Sequence, residues 1–175
     1  AVGLMRHALR SKGLTVFIEP KFLYNYRPTS SSVPHDDFMI PFGKAKIRRP
    51  GTDLTIISYG NAIHLSLQAA EKLASEGVNA EVIDLRSIAP WDKAMVFESV
   101  KRTSRALVAH EHYRNGGFGG EIAATIQEEL FHYLDAPVGR VASKDIPVGF
   151  AKVLEMDILI SADKIADAAR KIMNY

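Results

Sequence analysis

Apolar positions along the chain recur with two periods, and the change from one to the other marks out the elements. Leu4 to Ser11 has a short helical spacing; Gly13 breaks it, and Leu14-Thr15-Val16-Phe17-Ile18 follows as a predicted buried strand. From Pro20 to Pro41 the sequence holds Pro28, Pro34 and the run Thr29 to Ser32, a composition that suits neither helix nor sheet interior and predicts a linker. Its aromatics, Phe22, Tyr24, Tyr26 and Phe38, predict a linker laid on a surface instead of a free tether. Lys44 to Arg48 then reads as a polar edge strand, and Leu54 to Tyr59 as an almost continuous apolar strand of the kind buried on both faces. Asn61 can cap a helix in which Ile63, Leu67, Ala70 and Ala74 recur at three- and four-residue spacing before Gly77 ends it. Ala80 to Leu85 is the next strand, Asp92 caps a helix through about Thr103, and Ala106 to Ala109 is another apolar strand. Gly116 to Gly120 opens a helix carrying Ile122, Ile126 and Leu130 on one face; Val138 to Ala142 is a short strand and Asp163 to Asn174 a closing helix. Strands alternating with helices in this way predict an α/β fold of three layers, a largely parallel sheet with helices on both faces.

Composition narrows the function classes. The 175 residues suit about one domain. Lys and Arg number 22 against 20 Asp and Glu, a net charge of +2 with no basic run, which argues against nucleic acid as a partner. The longest apolar runs fall far short of the roughly 20 residues that span a bilayer, so no membrane span is predicted. Without cysteine there is no disulfide framework, no thiolate nucleophile and no Cys-ligated zinc, which favours a reducing compartment. The chain opens at Ala1 within an amphipathic stretch and is read as a piece of a longer protein.

Candidate chemistry centres on one stretch. A strand followed by His110-Glu111-His112, then Asn115-Gly-Gly-Phe-Gly-Gly120 and a helix, is a geometry whose backbone N–H groups can cradle an anion. Gly116, Gly117, Gly119 and Gly120 are therefore a possible anion loop. No Lys followed by Ser or Thr is present as in a Walker loop, and the third glycine of a dinucleotide fingerprint would fall on Ile122. Close strand-to-helix packing or positive φ explains the glycines more simply. His110 and His112 alternate along a strand and could both meet a metal, but two donors do not make a site, and structural or interfacial roles are favoured for them as for His64 and His132. No Gly-x-Ser-x-Gly elbow occurs, and Ser66, Ser99 and Ser104 lie in predicted helices. The pairs Asp36-Asp37 and Glu128-Glu129 read as solvated faces. These residues describe an α/β module with no complete active site, no metal site and no catalytic residue of its own.

Several ordered segments resemble one family together: Phe17-Ile-Glu-Pro-Lys-Phe-Leu-Tyr24, Ile40-Pro-Phe-Gly-Lys-Ala45, Val82-Ile-Asp-Leu-Arg-Ser-Ile-Ala-Pro-Trp-Asp92, His110-Glu111, Gly116-Gly-Phe-Gly-Gly-Glu-Ile-Ala-Ala124, Asp135-Ala-Pro137 and Arg170-Lys-Ile-Met-Asn-Tyr175. They closely resemble the β subunit of the thiamine-diphosphate-dependent 2-oxo acid dehydrogenases. The resemblance implies that residues 1–27 end a pyrimidine-binding domain, 28–43 form an interdomain linker, and 44–175 form a domain like the transketolase C-terminal domain.

In that family the enzyme decarboxylates pyruvate or a branched-chain 2-oxo acid on thiamine diphosphate and acylates a lipoyl group of the acyltransferase core. The implied partners are an α subunit or α-like domain, a second β subunit and the dihydrolipoyl acyltransferase. The implied compartment is the bacterial cytoplasm or the mitochondrial matrix. The family's activating glutamate and its lipoyl-acylating histidine lie upstream of the part represented here, and the diphosphate and its Mg²⁺ belong to the partner α subunit. No catalytic, cofactor-binding or metal-binding residue is therefore carried over to this chain. Some relatives bind potassium near the turn corresponding to Ala8 through Gly13, but Ser11 and Gly13 replace the usual Asp and Asn, and the ion is not expected. What carries over is dimerisation and docking of the acyltransferase's subunit-binding domain, with Asp135 and the terminal carboxylate of Tyr175 as the acidic contacts. Two other readings compete: a stand-alone anion- or nucleotide-binding regulatory module using the Gly116–Gly120 loop, and a different thiamine-diphosphate enzyme such as a transketolase or a deoxyxylulose phosphate synthase.

Overall fold

Alternating side chains on five short strands build two separate apolar cores, one on each face of a single sheet. The computed structural model describes residues 1–175. After α1 (Val2–Arg10) and an irregular stretch come β1 (Lys46–Arg49), β2 (Leu54–Ser58), α2 (Ala62–Ala74), β3 (Ala80–Asp84), α3 (Lys93–Thr103), β4 (Ala106–Tyr113), α4 (Gly119–Leu130), β5 (Gly139–Ser143), α5 (Lys152–Ile158) and α6 (Ala162–Met173). The strand order is β1-β3-β2-β4-β5. β2 pairs in parallel with β3 and β4, β4 pairs in parallel with β5, and only β1 runs antiparallel, on β3. A mostly parallel sheet needs helical crossovers, and these place helices on both faces as the alternating pattern predicts.

All five positions of β2 are buried. Leu54 and Ile56 point into the core shared with Ile63, Leu73, Ile165 and Ala169 of α2 and α6. Ile57 points the other way, into the core shared with Val96 and Val100 of α3 and Ile122 and Ile126 of α4. Thr55 also faces α3, where its hydroxyl bonds those of Ser99 (2.6 Å) and Thr103 (2.8 Å). Ser99 donates in turn to Glu81, whose 2 %-exposed carboxylate also accepts Arg102 Nη2 at 2.8 Å on each oxygen. A buried carboxylate is tolerated only when such donors replace its water.

Caps fix two of the helix starts. Asp92 Oδ1 accepts from Met95 N at 3.2 Å while its Oδ2 accepts from Ala45 N at 3.0 Å, so one carboxylate starts α3 and holds the chain entering β1. Ser161 Oγ accepts from Lys164 N at the start of α6. Asn61 departs from expectation: its own backbone is already helical and its side-chain oxygen makes no cap bond, while its Nδ2 donates to Glu111 Oε1.

The N-terminal region departs further. Leu14 to Ile18 forms no strand. Leu14, Val16 and Ile18 are 95 %, 76 % and 75 % exposed, since none of the five strands of the sheet is its neighbour. The Pro20–Pro41 stretch contains two single turns of 3₁₀ helix, Lys21–Tyr24 and Arg27–Thr29. It is held by α1 and α2: Ile40 N donates to Gly3 O at 3.0 Å, Arg6 Nη1 donates to His35 O at 2.5 Å, and Tyr26 meets His64 edge-on at 5.8 Å, while Phe22 and Tyr24 remain exposed. α5 was not legible in the pattern because its apolar residues Val153, Leu154 and Met156 face solvent. No helix is long and apolar enough to cross a membrane.

Gly51, in the turn between β1 and β2, lies against the backbone of Asn79 to Glu81, and a Cβ there would stand 2.2 Å from Glu81 N. Backbone cannot yield as a side chain tip can, so Gly51→Ala is expected to cost about 1–3 kcal/mol. Urea unfolding should show a lower midpoint with an unchanged slope.

Candidate functional site

Ligands of open α/β sheets bind beyond the carboxyl ends of parallel strands, where neighbouring strands lead off in opposite directions. Here β2 leads to β3 on one side and its neighbour β4 leads to β5 on the other, so the crevice lies between the ends of β2 and β4. Tyr59 and Asn61 follow β2, and His110 and Glu111 occupy β4, which runs four residues beyond the predicted strand end. His110 fills the crevice itself. It is fully buried and lies parallel to Tyr59 at 6.1 Å, and neither ring nitrogen has a hydrogen-bond partner.

The glycine loop is shaped by that ring. A Cβ on Gly119 would stand 2.1 Å from His110 Cδ2, and one on Gly117 would stand 2.5 Å from His110 Cε1 and 2.3 Å from Tyr113 O. Gly116 has φ +72° and open space around it, while Gly120 faces Arg140 Nη1, 3.1 Å from an added Cβ. Two of the four glycines thus let the start of α4 close over His110. The alternate histidines do not act together: His110 is buried and His112 exposed, and no three His, Cys, Asp or Glu side chains converge as metal ligands.

Around the crevice, Asn61 Nδ2 donates to Glu111 Oε1 at 2.8 Å, and Ser143 Oγ donates to Glu111 O at 2.5 Å, tying β2, β4 and β5 together. Burial pushes the Tyr59 hydroxyl up to about 12, so it stays protonated. At the end of β3, Asp84 accepts Arg86 N at 3.1 Å and lies 3.4 Å from Arg48; burial raises its pKa against the pull of these cations. Arg86 carries φ +61°, a left-handed conformation rare for a side chain of this size. His64 is pushed down, first by burial and then by Arg48. Sequence reasoning missed the Asn61–Glu111 pair and the Arg86 conformation, since neither has a local signature.

The predicted docking residues lie at the opposite end of the sheet. Asp135, just before β5, sits 3.4 Å from Arg105 Nη1, and its N–H donates to Ser104 O at 2.9 Å. Tyr175 is exposed and lines a shallow groove of about 470 Å³ between the start of β5 and α6. Pro137, two residues beyond Asp135, lines the same groove. At the α1 turn, Ser11 Oγ donates to His7 O at 2.9 Å and Gly13 has φ +97°.

Burial, then His112, Arg140 and Arg114, hold the His110 pKa below its ordinary 6.5. A group whose folded pKa is depressed binds fewer protons in the folded state, so its stabilisation is fully present above the ordinary 6.5 and is lost progressively below it as pH falls through the depressed folded value. His110→Leu, which supplies an apolar side chain and nothing to protonate, should flatten the loss of stability between pH 7.5 and pH 5 in urea titrations. Parallel pH dependences for the two proteins would contradict a neutral His110.

Comparison with known proteins agrees with this architecture. A family model described as "Transketolase, C-terminal domain" matches residues 43–165. The mitochondrial 2-oxoisovalerate dehydrogenase subunit beta 2 of Arabidopsis thaliana is 43 % identical over 175 residues, all of this chain and 48 % of that protein. The mitochondrial pyruvate dehydrogenase E1 component subunit beta-2 of Oryza sativa subsp. japonica is 42 % identical over 172 residues, 98 % of this chain and 46 % of that protein. Among solved structures, a split-gene transketolase described as an inactive beta4 tetramer superposes with a TM-score of 0.70 at 28 % identity, covering 82 % of this chain and 46 % of its own. The chain spans about half the length of the curated relatives it matches. Its five-stranded sheet between two helical layers and the family match over residues 43–165 lead to one conclusion: the chain belongs to the transketolase C-terminal domain family.

Proposed function

We propose that the chain is the C-terminal part of the β subunit of a 2-oxo acid dehydrogenase, an enzyme that oxidatively decarboxylates pyruvate or a branched-chain 2-oxo acid and passes the acyl group to a lipoyl acyltransferase. The observation that carries the reading is identity of 42–43 % across essentially the whole chain to β subunits of both kinds. Thiamine diphosphate, when bound in such an enzyme, supplies the electron sink for decarboxylation. No residue of this chain is assigned to that cofactor or to Mg²⁺. What these 175 residues contribute is a rigid sheet, pairing with a second β subunit, contact with the α subunit, and a docking face for the acyltransferase. The compartment proposed is the bacterial cytoplasm or the mitochondrial matrix; the plant relatives are named as mitochondrial.

Residues 1–27 are read as the end of a pyrimidine-binding domain and 28–43 as the linker to the domain of residues 44–175. The exposed apolar row Leu14, Val16 and Ile18 supports this, because an alternating strand without neighbours is a strand made for another sheet. In the docking face, the terminal carboxylate of Tyr175 and the side chain of Asp135 are the acidic contacts for a basic partner. The Asp135 side chain is 58 % exposed and pairs with Arg105, so an incoming cation finds it accessible and already ordered.

Replacing the matching stretch of the Arabidopsis 2-oxoisovalerate dehydrogenase β subunit with this chain, and assembling the chimera with its α subunit, should give 2-oxo acid-dependent acylation of the lipoyl domain. The 175 residues alone, given thiamine diphosphate, Mg²⁺ and 2-oxoisovalerate or pyruvate, should release no CO₂. Turnover by the chain alone would refute the assignment. In the chimera, Asp135→Asn should weaken acyltransferase binding about two- to fivefold, the value of one exposed ion pair, with the difference shrinking as salt is raised. Isothermal titration at two ionic strengths reads both effects.

A further inference from the structure

The turn that leads into α4 gathers hydrogen-bond donors with nothing to receive them. The N–H groups of Gly117, Phe118 and Gly119 meet no acceptor, while Gly120 N and Ile122 N close the first turn on Gly117 O and Phe118 O. Gly117 and Gly119 are buried, where an unmet N–H is costly. Directly beneath them lies the fully buried His110, both of whose ring nitrogens are also unpartnered. A Cβ on Gly117 would stand 3.3 Å from Nδ1, and one on Gly119 would overlap Nε2. Whichever nitrogen carries the proton of the neutral ring, its N–H is therefore aimed into the same turn. Two arginines stand beside it. Arg140 Nη1 would lie 3.1 Å from a Cβ on Gly120 and donates to Arg114 O at 3.4 Å, and Arg114 Nη1 donates to Arg140 O at 2.9 Å. Neither guanidinium group has a carboxylate partner in the chain. The carboxylates close by are engaged: Glu111 accepts from Asn61 Nδ2, Asp145 from Asn115 N at 2.7 Å, and Glu121 from Thr125 Oγ1 at 3.4 Å.

Close packing on His110 accounts for the missing Cβ atoms at 117 and 119, but it leaves the free N–H groups, the bare imidazole and the two unpaired guanidinium groups without counterparts. The positive end of the 12-residue α4 adds to their field. Diverging N–H donors with a guanidinium fork to one side suit a tetrahedral anion of high charge, since phosphate presents more acceptor oxygens and more charge to them than a carboxylate does. We propose that this turn binds phosphate, free or carried by a small molecule, its oxygens accepting from the N–H groups of Gly117, Phe118 and Gly119 and from the Arg140 guanidinium group. Arg114 adds charge beside the anion, and His110 forms the floor. Gly116 has open space around it, which leaves the approach to the turn clear. The glycines are not followed by Lys and then Ser or Thr, so the site holds phosphate and has no such group placed to transfer it. The inference goes beyond the dehydrogenase reading and does not rest on it, because this binding needs neither an α subunit nor an acyltransferase.

The test is an amide NMR titration of the isotope-labelled chain with sodium phosphate, with sodium chloride adjusted to hold ionic strength constant at fixed pH. The signals of Gly117, Phe118 and Gly119 are expected to shift together on one saturable curve. Arg140→Gln should weaken binding about tenfold and Arg114→Gln about threefold, while Lys152→Gln, the same loss of charge at an exposed position on α5, should leave it unchanged. Urea midpoints report whether each variant is folded, and Arg114→Gln, at an exposed position, carries the test should Arg140→Gln not fold. A parallel titration with glycerol phosphate separates the sources: saturation of the same signals makes an ester the ligand, and binding of inorganic phosphate alone makes it the free ion. Shifts that grow without saturation, shifts spread over surface away from α4, equal losses in Lys152→Gln and the arginine variants, or equal affinity for acetate would overturn the proposal.

Discussion

β2 has no exposed residue, so both of its faces must be kept from water at once, and the rest of the domain is arranged to do this. α2 and α6 cover one face and α3 and α4 the other, and the crossovers that carry the chain between parallel strands deliver the helices to those places. Neither layer is sufficient alone, because alternate β2 side chains belong to different cores. The polar network Thr55–Ser99–Glu81–Arg102 sits between α3 and the sheet and gives both oxygens of the buried Glu81 carboxylate a donor. Its cost is desolvation, offset by a complete set of hydrogen bonds.

The same close packing explains why the crevice at the strand ends holds a side chain. Glycines at 117 and 119 allow α4 to begin directly over His110, and the histidine ring occupies the volume that a ligand uses in other sheets of this topology. A ring with two unbonded nitrogens, surrounded by Tyr59, His112, Arg114 and Arg140, is stable only when uncharged. The domain therefore carries its charged side chains on its rims: the strained Arg86 and the Asp84–Arg48 pair at one end of the sheet, and the Asp135–Arg105 pair at the other.

A subunit that supports a larger assembly needs faces that specify partners and their orientation, and an exposed, ordered charge such as that of Asp135 does this more sharply than apolar area. The exposed apolar residues of the N-terminal stretch and of α5 contribute area.

Much of this was readable from residue order. Short runs rich in apolar and β-branched residues defined β2 and β3, helical spacing defined α2 and α6, Asp92 announced the start of α3, and Gly77 the end of α2, because each of these signals acts within a few residues of the chain. The family resemblance rested on ordered motifs of the same local kind. Folding alone decided what depends on distant neighbours. Leu14 to Ile18 has the pattern of a strand and no strand beside it, and Asn61 has the chemistry of a cap but spends its amide on Glu111, fifty residues away. Arg140 came to lie beside Gly120 and Arg114 only when β5 was paired with β4. Local periodicity reports how a segment would like to pack, and only the tertiary structure supplies the partner against which hydrogen bonds and charges are satisfied or left free.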